Sequence, residues 1–229
     1  KNKFETNALD WSAVVREHAS HIHLPRSSRL HIPVNLSFKA MLKSAFNVRG
    51  TGVEKPPDGP CIFAPNHQSV LDAFLVSIFL DRPQVKRTFF YAKARHIRGR
   101  LMRWIAGRFN VVVVDLEADV KGSIQALAEV LKQGKSVIIF PEGTRSANGE
   151  VGPFKKTFAI LSKELNVPVV PIAIDGAHRA LPRGSRRPRF RQNISVQFLP
   201  PVYPNGMDYD QINETVRNAI IRQMDDGAP

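Results

Sequence analysis

The sequence predicts an α/β fold, with a central mixed, largely parallel β-sheet flanked by helices and with an N-terminal helical segment. Short runs rich in β-branched and aromatic residues alternate with stretches of helical periodicity along most of the chain. Several of these runs are apolar at consecutive positions, as is typical of strands buried on both faces of a parallel sheet. With 229 residues, 43% of them hydrophobic, the chain can bury one full core. We therefore expect an α/β domain at 47–229, preceded by a helical segment at 1–46.

The N-terminal segment contains two predicted helices. A short one follows Asp10, a suitable N-cap residue, and a longer one extends from Leu36 to Phe46. In the longer helix, apolar residues recur at helical spacing, with Lys39 and Lys43 on the opposite side. This pattern favours a helix packed on the core, and it also fits an amphipathic helix lying on a membrane surface. The histidines between the two helices lack supporting acids or cysteines and are interpreted as a solvated stretch: His18, His21 and His23.

Strands and helices then alternate to the end of the chain. Predicted strands lie at 47–53, 61–64, 88–92, 109–114, 136–140, 167–174 and 194–198. One predicted helix contains Asp72, and three more lie at 120–133, 155–165 and 209–224, the first of them ended by Gly134. The strand at 167–174 contains prolines, which suit the ends of a strand or an edge strand.

Composition and charge restrict the class of function. The net charge of +13 points to an anionic partner: nucleic acid, an anionic membrane face or a phosphorylated substrate. The single cysteine, Cys61, excludes an internal disulfide and a multi-cysteine metal site, and we expect a buried thiol. No apolar run reaches the ~18 residues of a membrane-spanning helix, and no signal peptide is evident. Because the chain begins with Lys1 rather than Met, we expect a trimmed protein or a piece of a longer one.

The positive charge is concentrated in two stretches. The stretch from Arg82 to Arg108 holds nine lysines or arginines and no acid, and the stretch from Arg179 to Arg191 holds six arginines and no acid. Large apolar residues such as Trp104 are interleaved with the first stretch. This combination is expected of a surface that contacts anionic lipid, although a solvated basic face above an ordinary buried helix would look the same.

Two polar loops follow predicted strands and carry the candidate chemistry. In the first loop, His67 precedes Asp72 by five residues, a spacing that does not share one face of a helix. The two side chains can meet only if His67 lies before the helix and turns back. A histidine oriented by a carboxylate is the general-base half of a catalytic triad, here without its nucleophile.

The second loop, Phe140 to Ser146, directly follows the strand at 136–140. Because ligands bind beyond the carboxyl ends of strands in open α/β sheets, both loops are expected to face one crevice. Gly143 would let the backbone approach a ligand closely, and Arg145 could hold a phosphate with its planar guanidinium. Glu142 and Arg145 also suggest a charged pair, and a capped turn with a purely structural pair is the alternative.

The order of these elements, with the proline-containing strand around Pro171 after them, resembles the glycerolipid acyltransferase family that acylates 1-acylglycerol-3-phosphate. The resemblance covers roughly 47–200. It implies that His67 is the general base, that Asp72 orients it, and that the Pro171 strand belongs to the substrate tunnel. It further implies that the phosphate of the acceptor is bound by the following residues: Glu142, Gly143, Thr144, Arg145 and Lys93.

One block departs from the family pattern. Gly107 and Phe109 fit that block, but Asp115 or Leu116 stands where the family usually has an arginine that contacts the acceptor phosphate. Lys93 is therefore expected to carry more of that contact. The departure leaves the acceptor open between 1-acylglycerol-3-phosphate and another lysophospholipid.

The chemistry is consistent with acyl transfer from acyl-CoA or acyl carrier protein to the hydroxyl of a lysophospholipid. A neutral histidine suits deprotonation of a hydroxyl near neutral pH. A thioester is already activated, so no enzyme nucleophile is required, and none of the Gly-x-Ser-x-Gly type is present. We expect no metal and no cofactor, and we expect attachment to an anionic membrane surface on the cytoplasmic face.

Two functions of other classes also fit some of the observations. A basic nucleic-acid-binding domain would explain the charge but not the two loops, and the chain has neither zinc-finger spacing nor an RNP motif. We therefore expect no nucleic acid as partner. A metal-dependent phosphoesterase would need further ligands near His67, and no clear set is present.

Overall fold

A computed structural model describes residues 10–17, 31–52, 57–93, 110–114 and 119–226. The strands are β1 Asn47–Thr51, β2 Ile62–Pro65, β3 Thr88–Lys93, β4 Val111–Val114, β5 Ser136–Ile138, β6 Val169–Asp175 and β7 Asn193–Phe198. The helices within those residues are α1 Trp11–Arg16, α2 His31–Ala45, α3 Asp72–Ser77, α4 Arg82–Arg87, α5 Val120–Lys132, α6 Thr157–Leu165, α7 Ala177–Ala180 and α8 Tyr209–Asp226.

The strands form one mixed, largely parallel sheet in the order β1-β7-β6-β2-β5-β3-β4, which confirms the predicted fold class. Strands β6, β2, β5, β3 and β4 are parallel neighbours, whereas β7 pairs antiparallel with β6 and parallel with β1. All residues of β2 and β5 are buried. The carboxyl ends of β2 and β5 therefore lie side by side near the centre of the sheet.

Helices cover both faces of the sheet, and successive residues of a strand pack alternately into two separate cores. Ile62 of β2 packs with α1, α5, α6 and α8 on one face. Phe63 packs with α2, α3, α4 and α7 on the other face. This alternation follows from the two-residue period of a strand, and it explains why consecutive residues of the buried strands are apolar, as in Ile62 and Phe63. Cys61 is buried in the second core, as expected.

The N-terminal helices pack on the domain from opposite sides. Trp11, Val14 and Val15 of α1 belong to the first core, and Leu42 of α2 belongs to the second. Helix α2 begins earlier than predicted, since Pro33 lies in its first turn, where no intrahelical N–H bond is lost. No helix among the described residues is both long enough and apolar enough to cross a bilayer. The boundary between residues 46 and 47 stays a prediction.

Three local expectations need correction. Helices α4 and α7 were not predicted; both are short and lack a clear apolar period. Of the two prolines in the predicted strand, Pro168 directly precedes β6, as expected of a strand end, whereas Pro171 is inside a strand with two neighbours. The pairing of β6 with β7 ends at Ile172 and Phe198, one residue after Pro171. The Pro171 carbonyl still accepts from the Leu199 N–H, and the N–H that proline lacks lies at the end of this pairing. Expectations for His18, His21, His23, Trp104, Gly107, Phe109, Asp115 and Leu116 concern residues outside the described part.

Candidate active site

His67 and Asp72 meet at the carboxyl end of β2. His67 lies on the loop after the strand, and α3 begins at Asp72, so the carboxylate is at the first helical residue rather than one turn further. The histidine turns back toward the helix, and its Nδ1 is 2.9 Å from Oδ2 of Asp72. An acidic side chain at a helix N-terminus is favoured by the helix dipole. The sequence spacing thus produces a histidine held by a carboxylate.

Asp72 is fixed by more than the histidine. The side chain is fully buried, and Oδ2 also accepts from the backbone N–H groups of Gln68, at 2.6 Å, and Ser69, at 2.7 Å. Burial raises the pKa of Asp72 above its ordinary value, and the hydrogen bonds from His67, Ser69 and Gln68 oppose that rise. With Nδ1–H donating to the carboxylate, the other ring nitrogen, Nε2, carries the lone pair that a general base needs.

The imidazole of His67 is packed but accessible. Its ring stacks on Phe140, with the ring centroids 4.1 Å apart, and 20% of the His67 side chain is exposed. Phe140 directly follows β5 and begins the second loop. The aromatic contact therefore connects the histidine to the second loop and restricts the orientation of its ring.

The two loops are also joined through the backbone of His67. The His67 N–H donates to Oε1 of Glu142 over 2.7 Å, and the His67 carbonyl accepts from the Ser146 N–H over 2.7 Å. The expectation that both loops lie together is confirmed, because β2 and β5 are adjacent and parallel; that they share one ligand crevice stays a prediction. Every main-chain polar group of His67 is thereby engaged by the second loop.

Glu142 is a buried link between loops and does not pair with Arg145. Its other oxygen, Oε2, accepts from the Gly152 N–H over 3.1 Å, and the residue is 8% exposed. Burial raises the pKa of Glu142, against the hydrogen bonds from the backbone of His67 and Gly152. The described residues contain no Glu142–Arg145 ion pair, so the expected charged pair is not formed. A direct contact of Glu142 with a phosphate stays a prediction.

Gly143 occupies a backbone position that few other residues could take. Its φ is +68°, in the left-handed region, and an added Cβ would lie 3.0 Å from Cε and 3.1 Å from Nζ of Lys155. The Lys155 side chain thus lies directly over Gly143. Lys155 also lines a small cavity with Tyr91, Phe140 and Gly143.

Thr144 and Arg145 line an open groove of about 330 Å³ on the outer side of the second loop, together with Ser146, Asn148 and Arg183. Thr144 is exposed and Arg145 is half-buried. Among the described residues, no acceptor takes a hydrogen bond from the Arg145 guanidinium. This leaves its N–H donors available to a ligand.

Lys93 is the last residue of β3, in register with Val114 of β4. Because β3 is parallel to β5, its carboxyl end reaches the same edge of the sheet as the two loops. The Lys93 side chain lies outside the described part, and its role stays a prediction.

Sequence reasoning missed a third wall of the site, which follows the carboxyl end of β6. The Gln68 side chain accepts from the His178 N–H over 3.2 Å, and the Ser69 hydroxyl donates to the Leu181 carbonyl over 2.8 Å. Asn66 bonds both main-chain groups of Ile174 at 2.9 and 2.7 Å. The available signal was that a third polar segment follows a buried strand, but the sequence does not reveal that β6 lies next to β2.

Comparisons with known proteins identify the family of this chain. A family model described as Acyltransferase matches residues 47–175. A chloroplastic 1-acyl-sn-glycerol-3-phosphate acyltransferase of Brassica napus is 32% identical over 179 residues, covering 76% of this chain and 49% of the relative. The alpha form of that enzyme from Mus musculus is 30% identical over 176 residues, covering 72% of this chain and 59% of the relative. The chain thus spans about half the length of these relatives.

The fold also matches a solved structure. The crystal structure of the 1-acyl-sn-glycerophosphate acyltransferase PlsC from Thermotoga maritima superposes with a TM-score of 0.70 at 27% sequence identity. The match covers 86% of this chain and 80% of that protein.

Proposed function

The chain belongs to the acyltransferase family, and from that premise we propose that it transfers a fatty acyl group from a thioester to the free hydroxyl of 1-acylglycerol-3-phosphate. The observation that carries the proposal is the 2.9 Å contact between His67 Nδ1 and Oδ2 of the buried Asp72. The names of the relatives support lysophosphatidate as acceptor. Acyl-CoA or acyl carrier protein is the proposed donor, with no further cofactor.

His67 acts as the general base in this proposal. Nε2 takes the proton of the acceptor hydroxyl while its oxygen attacks the thioester carbonyl, which gives a tetrahedral intermediate. When the intermediate collapses, the C–S bond breaks and the leaving thiolate takes the proton back from the imidazolium. Acyl group and proton are both accounted for, and His67 returns to its neutral form.

Asp72 orients the imidazole and stabilises its protonated form. The three hydrogen bonds to Oδ2 fix that oxygen, which holds the proton on Nδ1 and the lone pair on Nε2. A buried negative charge beside the ring lowers the energy of the imidazolium that forms during attack. The carboxylate is not required to accept the proton.

The second loop would bind the phosphate of the acceptor. Arg145 lies at the groove with no hydrogen-bond acceptor for its guanidinium among the described residues, and a guanidinium can bind a phosphate through two parallel hydrogen bonds. Gly143 and Thr144 lie beside it, and Lys93 ends a neighbouring strand at the same edge of the sheet. A phosphate held at this loop would place the glycerol hydroxyl near His67, because the loops are joined by direct hydrogen bonds.

An anionic membrane surface is the proposed location of the reaction, at the cytoplasmic face. Leu36 and Met41 of α2 are 47% and 49% exposed, and Phe190 is 62% exposed beside Phe46. The exposed arginines that flank Phe190 add positive charge to this side of the molecule. A lysophospholipid acceptor resides in such a surface.

The proposal is tested with purified protein, one labelled acyl-CoA and a panel of lysophospholipids, with products identified by mass spectrometry. We expect a diacyl product from 1-acylglycerol-3-phosphate and loss of turnover in His67→Ala with an unchanged Tm. If the protein prefers another lysophospholipid, the proposed acceptor is wrong but the reaction is still acyl transfer. Unchanged turnover in His67→Ala would reject His67 as the base.

A further inference from the structure

The segment that follows β6 is fastened to the loop that carries His67. Helix α7 meets Gln68 through the His178 N–H, and the Leu181 carbonyl accepts from the Ser69 hydroxyl. Both contacts involve main-chain groups of the segment, so its backbone path is set by the residues next to His67. The residues that come directly after Leu181 must therefore emerge at the edge of the site.

Arg183 emerges there and reaches across to the second loop. A turn closed by the Ser185 N–H and the Pro182 carbonyl, at 3.1 Å, presents it. Its Nη1 donates to the main-chain carbonyl of Arg145 over 3.2 Å. Arg183 and Arg145 then line the same groove of about 330 Å³. A second arginine is thus brought to the backbone of the first.

The contact uses only part of the hydrogen-bonding capacity of Arg183. A guanidinium carries several N–H donors in a planar fork, and one of them is engaged by the carbonyl. No carboxylate among the described residues pairs with Arg145 or Arg183. Glu142 and Glu150 also line the groove, but the Glu142 carboxylate accepts from two backbone N–H groups, and the Glu150 carboxylate accepts from Asn148 Nδ2 over 2.7 Å. Neither guanidinium has an ion-pair partner among the described residues, and an anion bound between them would lower their mutual repulsion.

We propose that Arg183 and Arg145 together bind one phosphoryl group of a substrate in this groove. The inference rests on the proposed function, since the substrates of that reaction carry phosphate groups. It adds Arg183 to the phosphate-binding residues, a position that no sequence motif assigns. Two arginines give the fork-like, charge-assisted contacts that a phosphate dianion prefers. The phosphoryl group is the acceptor's if the groove serves the head group, and the donor's if it serves a CoA phosphate.

The test compares Arg183→Gln with Arg186→Gln. Arg186 belongs to the same arginine run and is exposed, but it does not line the groove, so the two variants lose the same charge. The KM for 1-acylglycerol-3-phosphate and for acyl-CoA is measured for each, at fixed ionic strength. We expect Arg183→Gln to raise the KM of one substrate about tenfold with kcat within about twofold, and Arg186→Gln to change neither by more than about twofold.

The source of the phosphoryl group is read from the substrate whose KM rises. If Arg183→Gln weakens inhibition by glycerol 3-phosphate, the bound group is the phosphate of the acceptor. If Arg183→Gln instead weakens inhibition by adenosine 3′,5′-bisphosphate, the bound group is a phosphate of the donor. In both cases Arg145→Gln should weaken the same inhibitor, and the double variant should lose less than the product of the single losses, because the two side chains share one ligand.

Two outcomes overturn the inference while leaving acyl transfer intact. If Arg183→Gln has the same KM values as wild type, Arg183 does not bind the substrate. If KM rises equally in Arg183→Gln and Arg186→Gln, Arg183 contributes only to the general positive charge of the segment. Wild-type protein without any transfer is a different failure, which rejects the proposed function. Calorimetric titration with glycerol 3-phosphate then still reports whether the two arginines bind a phosphomonoester.

Discussion

Two buried carboxylates hold His67, one through its ring and one through its backbone. Asp72 accepts from Nδ1 and sets the ring, whereas Glu142 accepts from the main-chain N–H and sets the loop on which the ring is carried. Burial raises the pKa of both, so the protein maintains two carboxylates where ionisation is costly. At the scale of single residues, the arrangement favours the geometry of the base over the stability of the fold.

Asp72→Asn should lower kcat by about 10²- to 10⁴-fold with little loss of structure. The asparagine carbonyl can occupy the position of Oδ2 and accept from Gln68, Ser69 and His67, while its NH₂ takes the place of Oδ1, which has no partner among the described residues. The negative charge beside the imidazolium is lost. The measurement is single-turnover acyl transfer, and Asp72→Asn combined with His67→Ala should be no slower than His67→Ala alone.

The same substitution has a pH signature in stability. Because the folded-state pKa of Asp72 is raised, the native protein holds its proton at pH values where the unfolded chain has released it. Wild-type stability relative to Asp72→Asn should thus be greatest below the ordinary pKa of 3.8 and decline as the pH rises through the raised value. Denaturant titrations of both proteins across that range measure the difference, and a constant difference would contradict it.

Glu142→Gln should cost about 1–3 kcal/mol of unfolding free energy and reduce kcat, because both carboxylate oxygens accept backbone N–H groups and an amide NH₂ cannot. One donor, from His67 or Gly152, would face another donor. The control is Glu150→Gln, four residues after the second loop, where the exposed carboxylate oxygen that accepts from Asn148 can be replaced by an amide oxygen. If both variants behave alike, the link between the loops is not what supports turnover.

At the scale of elements, the site is built where β2, β5 and β6 end. The sequence predicted the loops after β2 and β5 and their common crevice, because apolar strands followed by polar loops define carboxyl ends. It did not predict the wall after β6 or the position of Arg183, because strand order is a long-range property. It also suggested the wrong partner for Glu142: local spacing favoured Arg145, while the folded loop turns the carboxylate toward His67 and Gly152.

Gly143→Ala tests how the second loop is built. The left-handed backbone alone should cost about 1–2 kcal/mol of unfolding free energy, and the added Cβ should also displace Lys155. Gly206→Ala is the matched control, since Gly206 has φ +73° with nothing within 4 Å of an added Cβ. Both variants should lose stability, and only Gly143→Ala should raise the KM of the acceptor in steady-state assays. A normal acceptor KM in Gly143→Ala would mean that the loop and Lys155 adjust without consequence.

At the scale of the whole molecule, the sheet separates two cores, and most of the large apolar side chains that are exposed in the described part lie on α2 or against aromatic residues in or just after it. Leu36 and Met41 on α2, Phe74 beside Phe38 and Phe190 beside Phe46 are all exposed around the helix that packs on the second core. Val70, which is 53% exposed, lies on the loop between His67 and Asp72. Exposed apolar side chains thus occur both around α2 and on the loop that carries His67, which fits the proposed attachment to a membrane surface.

Replacing Leu36 and Met41 by serine together should weaken binding to anionic lipid vesicles about tenfold or more, because each side chain would lose apolar contact with the bilayer. Tyr203→Ser is the control, since Tyr203 is 53% exposed but lies apart from α2 in the sequence, between β7 and α8. Vesicle sedimentation measures binding, and transfer to a short-chain, water-soluble acceptor should be unchanged, because His67 and Asp72 are untouched. Equal binding by all three proteins would assign α2 to core packing alone, and loss of transfer to the soluble acceptor would show that α2 supports the site itself.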